Sequence, residues 1–147
     1  MPGISATIKA ALKTKLDALV SAGTLGEVQE DDLRKSIFER DFGAYPAAVL
    51  TSPATDSEAL DNRDNMRSYL YEVVVFQKAD NITSATAIEE LIETLLDKFD
   101  NDPALSGAAP GGVFPSTSRP EPASIRGNNF VVFSILIKAR GIKNLTF

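Results

Sequence analysis

Hydrophobic residues recur at helical spacing in two segments of the chain. In residues 4–22 an apolar stripe runs from Ile8 to Val20, and Lys9, Lys13 and Asp17 lie off it. Residues 81–100 carry a broader apolar face, with Thr83 or Ser84 available as the N-cap. The stripes predict two amphipathic helices. Their apolar positions are Ile8, Leu12, Leu16, Leu19 and Val20 in the first, and Ile88, Leu91, Ile92, Leu95, Leu96 and Phe99 in the second.

The remaining apolar segments have the length and alternation of strands. Residues 66–78 and 129–140 predict two long strands, and residues 44–51 predict a shorter one with Pro46 near its start. Residues 24–44 predict only weak elements, namely a short strand at 25–28, a turn or one helical turn at 30–35, and a strand at 36–40.

Two segments are predicted to be extended loops. Residues 52–65 are polar and link two predicted strands. Residues 103–128 hold five of the eight prolines and four of the nine glycines, with a possible short strand at 113–114. A connection as long as 103–128 inside a compact domain usually serves binding or stays mobile until it is bound. We therefore expect a single α+β domain spanning residues 1–147. It should hold a mainly antiparallel β-sheet covered on one face by the two amphipathic helices.

Both long strands are apolar on both faces. Side chains alternate across a strand, so Tyr69, Tyr71, Val73 and Val75 share one face, as do Phe133, Ile135 and Ile137. On the opposite face Leu70, Val74, Phe76, Val132 and Leu136 are interrupted only by Glu72 and Ser134. Two helices cover one face of a sheet of this size, so the second face needs another cover. The long loop is one candidate. We favour a neighbouring subunit, because exposed side chains would each forgo about 1.5–3 kcal/mol of burial.

Composition excludes several classes of function. The 147 residues contain no Cys, no His and no Trp. Nucleophilic systems that need His, tetrahedral zinc sites and CxxC redox pairs are therefore excluded. Lys and Arg number 15 against 20 Asp and Glu, and the net charge of −5 argues against a dedicated nucleic-acid binder. We expect no signal peptide, because lysines interrupt the N-terminal apolar run, and no membrane span.

The remaining motifs do not predict catalysis. No Gly-Lys pair is present for a phosphate-binding loop, and residues 107–112 lack the spacing of a dinucleotide fingerprint. A calcium-binding loop needs Gly at its sixth position and Glu at its twelfth, and neither acidic cluster, at 61–65 or 100–102, has both. We therefore expect a protein that is not an enzyme and has no catalytic residue, metal or cofactor.

Four cations and no acid follow Glu121, namely Arg126, Lys138, Arg140 and Lys143. Lys138 and Arg140 share a strand face. They are either solvated or paired with acidic residues of a neighbouring copy, such as Glu30, Asp31 and Asp32.

The layout of the chain resembles the tail terminator (tail completion, minor tail protein U-like) family of tailed bacteriophages. Four features carry the resemblance over nearly the whole length: the opening helix at 4–20; the run GAYPAAVLT at 43–51 with its polar loop and the following strand entry NMRSY at 65–69; the helix AIEELIETLLDKF at 87–99 with the exit DPAL; and the Pro-containing stretch before a final apolar strand.

The resemblance implies a structural virion protein of the tail or neck, assembled in the host cytoplasm. It would form a ring, usually a hexamer, that caps the head-proximal end of the tail tube, ends tube polymerisation and docks to the head-side connector. Implied partners are other copies of the chain, the tail tube protein and a connector or stopper protein. DNA would be only passing cargo, and no membrane is implied.

The candidate interface residues lie on the uncovered strand faces and in the polar and C-terminal segments. They are Asp56, Glu58, Asp61, Arg63, Asp64, Arg67, Leu70, Glu72, Val74, Phe76, Arg119, Arg126, Lys138 and Arg140. Two alternatives stay open: another phage head–tail joining protein, such as a stopper or head-completion component, and a small-ligand-binding α+β domain with a pocket between helices and sheet.

Overall fold

The fold is a seven-stranded mixed sheet with two α-helices on one face. A computed structural model describes residues 3–59 and 64–144. In chain order the elements are α1 (Ile4–Ser21), β1 (Glu27–Glu30), β2 (Ala47–Leu50), β3 (Ala54–Ala59), β4 (Asp64–Lys78), α2 (Ala85–Asp100), β5 (Val113–Thr117), β6 (Glu121–Ile125) and β7 (Asn128–Asn144). Short 3₁₀ turns lie at Ile37–Glu39, Ala79–Asn81 and Leu105–Gly107. The predicted α+β class is confirmed.

Two long antiparallel strands form the centre of the sheet. β4 pairs with β7 along its whole length, from Asp64 opposite Asn144 to Lys78 opposite Phe130. The outer edge of β4 is divided between β2 and β3, and the outer edge of β7 is divided between β5 and β6. β1 pairs with β2 in the only parallel contact of the described sheet. Residues 54–59, 64–70 and 138–144 therefore form an extension at one end of the sheet, which β5 borders at Val113 and Phe114.

The helices cover the sheet face that carries Tyr71 and Phe133, as the alternation predicted. Ser84 caps α2 by accepting a hydrogen bond from the backbone N–H of Ala87 at 3.3 Å. The buried residues of this main core include Ile8, Leu12, Leu16 and Leu19 of α1, Ile88, Leu95 and Phe99 of α2, and Tyr71, Val73, Val75, Phe133, Ile135 and Ile137 of the sheet.

One hydrogen bond and one close steric approach hold α1 on the sheet. The Tyr71 hydroxyl donates a hydrogen bond to the backbone carbonyl of Ser5 at 2.8 Å, and burial raises the pKa of this phenol. At the end of β7, a Cβ on Gly141 would lie 2.6 Å from Cγ2 of Ile4. Glycine is therefore needed there for the close approach of helix and strand.

The two predicted loops are corrected in part. Residues 54–59 form β3, and residues 113–117 and 121–125 form β5 and β6, so each predicted loop contains strand. These polar strands owe their conformation to backbone pairing with β4 and β7, which intrinsic propensity does not reveal. The short strand predicted at 113–114 is confirmed and is longer than predicted. The strand predicted at 36–40 is wrong: Ile37–Glu39 form a 3₁₀ turn, capped by the side chain of Ser36.

Candidate interaction surface

One half of the second sheet face is closed by the chain itself. Val49, Val74 and Phe76 form a separate buried cluster there. Residues 31–45, which we call the cover segment, lie on this cluster. Phe42 and Phe38 pack against the Phe76 ring at centroid distances of 5.4 and 5.7 Å. Val74 and Phe76 are 3% and 2% exposed, so the prediction that they belong to an interface with a neighbouring copy is wrong.

Arg40 ties the cover segment to the sheet edge. Its guanidinium donates to Oε1 of Gln29 at 3.1 Å and lies 3.0 Å from Oδ1 of Asp32 and 3.5 Å from Oδ1 of Asp31. A hydrogen bond from the backbone N–H of Arg34 holds the pKa of Asp32 below its ordinary value, and the charge of Arg40 acts in the same direction. The cover segment is therefore fixed by polar contacts as well as by aromatic packing.

The acidic residues expected to pair with a neighbour's cations are partly used inside the chain. Asp31 and Asp32 pair with Arg40, so the suggestion that they meet Lys138 and Arg140 of another copy loses its support. Arg126 is also engaged: it forms an ion pair with Asp41 at 2.9 Å.

A polar belt crosses the second face where the closed half ends. Oγ of Ser134 and Oε1 of Glu72 lie 2.6 Å apart in a hydrogen bond between β7 and β4. Oγ1 of Thr51 donates to the backbone carbonyl of Glu72 at 2.7 Å, and the backbone N–H of Ser134 donates to Oγ of Ser118 at 2.8 Å. Thr51 lies between β2 and β3, and Ser118 lies between β5 and β6. The belt thus coincides with the points at which both outer edges of the sheet change strand.

Beyond the belt the second face is open. Leu70 and Phe114 are 44% and 51% exposed, and Met66 and Leu136 are partly buried. We call these four residues the open patch. The register places Leu70 on β4 opposite Lys138 on β7, and Lys138 opposite Phe114 on β5. The open patch therefore spans three strands, with Lys138 between its two most exposed members, and the described residues leave it partly exposed to solvent.

Arg140 borders the open patch on β7. Its guanidinium carbon lies 5.2 Å from the centroid of the Phe114 ring, within the range of a cation–π contact. Its Nε is buried and has no hydrogen-bond partner among the described residues. A Cβ on Gly111 would lie 2.6 Å from Cβ of Arg140 and 3.1 Å from Sδ of Met66. Because Gly111 has no side chain, the backbone there can pack closely against Arg140 and Met66 at this edge of the open patch.

The structure brings together only some of the candidate interface residues. Asp56, Glu58, Leu70, Glu72, Lys138 and Arg140 share the second face around the open patch. Arg67 alternates to the opposite face, and Arg119 lies in the exposed turn between β5 and β6. Asp61 and Arg63 lie outside the described residues, and only the backbone of Asp64 is described, at the start of β4.

Sequence reasoning missed the residues that define the boundary of this surface. Phe114 and Met66 belong to the open patch. Phe114 could have been assigned by extending the strand at 113–114 and alternating its side chains. The cover segment was missed because Ile37, Phe38 and Phe42 are irregularly spaced in a polar stretch. The sequence marked this segment only by its aromatic residues, which follow neither the helical nor the strand period.

The other concave features are grooves on the surface. One of about 390 Å³ lies between the two helices and is lined by Lys15, Lys98 and Asp102. The Lys15 ammonium, 2.9 Å from Oδ2 of Asp102, holds the pKa of that carboxyl below its ordinary value. A more apolar groove of about 370 Å³ lies beside the start of α2, next to Ile88 and Pro122. The space between helices and sheet is filled by fully buried side chains.

Residues 3–59 and 64–144 contain no group of three acidic side chains placed to hold a metal ion together. Neither described helix is long and apolar enough to cross a membrane. No protein-family model matches this sequence, and the comparison with curated proteins finds no match.

Proposed function

We propose that this protein is a structural component of a tailed-bacteriophage virion that assembles into a closed ring at the head-proximal end of the tail tube. The ring, of six copies in the family that the sequence resembles, would end tube polymerisation and present a docking surface to the head-side connector. The observation that carries the proposal is the open patch, a group of apolar side chains on three strands that the described residues leave partly exposed, on a sheet face whose other half the chain covers.

Self-association accounts for this asymmetry. Exposed contiguous apolar surface on a folded domain marks an interaction site. A ring contact is heterologous, because one surface of each copy meets a different surface of the next and the rotation closes. Such a contact places apolar side chains away from water without requiring any further segment of the chain.

The edges of the sheet support the same proposal. β5 and β6 carry Pro115 and Pro122, and proline on an edge strand discourages pairing with other chains. β3 contains no proline and is paired on one side only among the described strands. Its protection is limited to the charges of Asp56 and Glu58, so an assembly that covers β3 also removes an edge open to aggregation.

The placement in the tail rests on the sequence resemblance. The polar hairpin of β3 and β4, and the turn between β5 and β6 that carries Arg119, are the segments we propose for contacts with the tube and the connector. A stopper or head-completion role is the alternative within the same class, since it would use the same kinds of contact at a different position in the neck.

Native mass spectrometry and electron microscopy of the purified chain test the proposal directly. We expect a closed ring with the mass of six 15.8 kDa chains. Added to the polymerising tail tube protein of the same phage, the ring should bind one end of the tube and stop its growth. A chain that stays monomeric at all concentrations and does not associate with particles would overturn the proposal. Binding to the portal or connector but not to the tube would instead assign the joining role.

A further inference from the structure

Two short columns of opposite charge flank Leu70 and Met66 of the open patch, and Phe114 lies on β5 beyond the basic column. On the same sheet face, β3 carries Asp56 and Glu58, and β7 carries Lys138 and Arg140. Asp56 is opposite Ser68 on β4, and Ser68 is opposite Arg140 on β7. The acidic column and the basic column thus run in parallel, with one strand between them.

The two columns do not pair with each other inside the chain. Two strand spacings separate them, about 9–10 Å between Cα atoms. Arg140 turns toward β5, where its guanidinium stacks on Phe114, and so it leans away from β3. None of the four charged residues forms an ion pair with a side chain of residues 3–59 or 65–141, the part of the chain whose side chains the structure describes. Both columns therefore present charge that is available to a partner.

We propose that the partner of the open patch is a second copy of this chain, whose acidic strand β3 lies against it. In this contact Asp56 and Glu58 of one copy face Lys138 and Arg140 of the next, and the contact covers Leu70 and Phe114 on either side of that basic column. The proposal rests on the proposed ring and names the contact that forms it.

Charge complementarity is the reason for choosing a second copy over an unrelated protein. A surface for a foreign partner needs only one of the two columns, whereas this chain carries both halves of a matched pair on one face. Where each pair of copies makes this contact once, as the proposed ring requires, the contact is head-to-tail and leaves a free patch at one end and a free β3 at the other. Repetition of the contact can therefore close a ring.

Reversing the charge of the acidic column in one variant and of the basic column in another tests this contact, with each variant measured alone and the two measured as a mixture. One variant carries Asp56→Lys and Glu58→Lys, and the other carries Lys138→Glu and Arg140→Glu. We expect each variant alone to assemble about tenfold or more weakly than the wild type, because like charges then face each other. Mixed in equal amounts, the two variants should restore assembly as particles in which they alternate. Native mass spectrometry reads both the extent and the composition.

A matched control changes charge by the same amount elsewhere. Glu93→Lys with Asp97→Lys, on the exposed face of α2, has the same effect on net charge as reversal of the acidic column. We expect this variant to assemble like the wild type. Circular dichroism of every variant establishes that loss of assembly is not loss of folding.

Each outcome separates this inference from the proposed function. A wild-type ring that persists in both reversal variants overturns the inference and leaves the ring in place. A wild-type chain that is monomeric overturns the proposed function itself. Restoration that stops at a two-chain particle overturns the head-to-tail contact, because it shows a two-fold contact between identical patches. Failure of the mixed variants to assemble, with both variants folded, also overturns the inference.

Discussion

The two halves of the second sheet face are built from the same strands and differ in what covers them. Val74 and Phe76 in one half are almost fully buried, whereas Leu70, on the same face of β4, is 44% exposed. The alternation of side chains along β4 and β7 is the same in both halves. The difference arises from the cover segment, which crosses the closed half and ends before the polar belt of Glu72 and Ser134.

This contrast shows that a strand pattern reports which side chains share a face but not what lies on that face. An apolar face is equally consistent with a segment of the same chain and with another molecule. In this protein the chain covers the first half, and the ring contact is the cover that we propose for the second. The proposal makes the two halves separable by experiment, because it assigns the first to folding and the second to assembly.

The largest expected effect comes from truncating the closed half. Phe76→Ala removes a ring that packs against Phe38 and Phe42, and it should lower the free energy of unfolding by about 3–5 kcal/mol. Leu70→Ala, on the same strand and face, should lower it by about 1 kcal/mol or less. Urea denaturation followed by circular dichroism, at concentrations that keep the chain monomeric, measures both values.

We expect the two substitutions to affect ring assembly in the opposite order to their effect on stability. At equal folded fraction, Leu70→Ala should weaken ring formation, and Phe76→Ala should leave it close to that of the wild type. Equal losses of stability in the two variants would show that the open patch is part of the folding core, and the distinction between the halves would fail.

The next effect concerns how the cover segment is attached. Arg40→Ala removes the guanidinium that binds Gln29, Asp31 and Asp32, and it leaves the carboxylate of Asp31, whose side chain is only 11% exposed, without this partner. We expect a loss of about 1–3 kcal/mol in the free energy of unfolding. Hydrogen exchange should also become faster in residues 36–45, while exchange in the β3–β4 extension stays unchanged.

Arg126→Ala is the matched control for this prediction. Arg126 and Asp41 have side chains that are 52% and 86% exposed, and exposed ion pairs contribute only about 0–1 kcal/mol. If Arg126→Ala destabilised the chain as much as Arg40→Ala, the cover segment would depend on its end near β6 and not on the cluster around Arg40.

The confirmed parts of the fold are those with a long, strong apolar pattern. The helices α1 and α2 were predicted because their apolar positions repeat at helical spacing, and the strands β4 and β7 because their nearly continuous apolar runs have the length of a strand. The alternation of side chains along a strand correctly placed Lys138 and Arg140 on one face of β7. These features are local in sequence, so a single chain is enough to predict them.

The parts that sequence did not predict depend on partners distant along the chain. β3 and β6 are polar strands that exist because β4 and β7 offer them backbone hydrogen bonds. The cover segment depends on Phe76, which lies far from Phe38 and Phe42 in sequence. For the same reason Val74 and Phe76 were assigned to an interface with another copy, since nothing in their own strand indicates which segment covers them.

A smaller effect is expected at the polar belt. Ser134→Ala removes the hydrogen bond to Glu72 that lies between the two halves, and it should lower the free energy of unfolding by about 0.5–1.5 kcal/mol. Because Glu72 is exposed, water can replace the lost hydroxyl, so the lower end of this range is expected. Urea denaturation beside a Glu72→Gln variant measures it. A loss as large as that of Phe76→Ala would show that the belt is part of the closed core.

The smallest effect is a dependence on pH that arises in the closed half. The backbone N–H of Arg34 and the charge of Arg40 favour the ionised form of Asp32, so the pKa of this carboxyl is lower in the folded chain than in the unfolded one. A lowered pKa contributes stability that is present above the ordinary aspartate range, and this stability is lost as the pH falls through the folded pKa. Asp32→Asn should therefore be slightly less stable than the wild type near neutral pH, and the difference should shrink toward zero as the solution is acidified. Urea denaturation of both chains across this pH range measures the difference directly. A gap that widened on acidification would mean that the protonated carboxyl is the form that holds the cover segment, and the proposed role of the Arg40 cluster would have to be reversed.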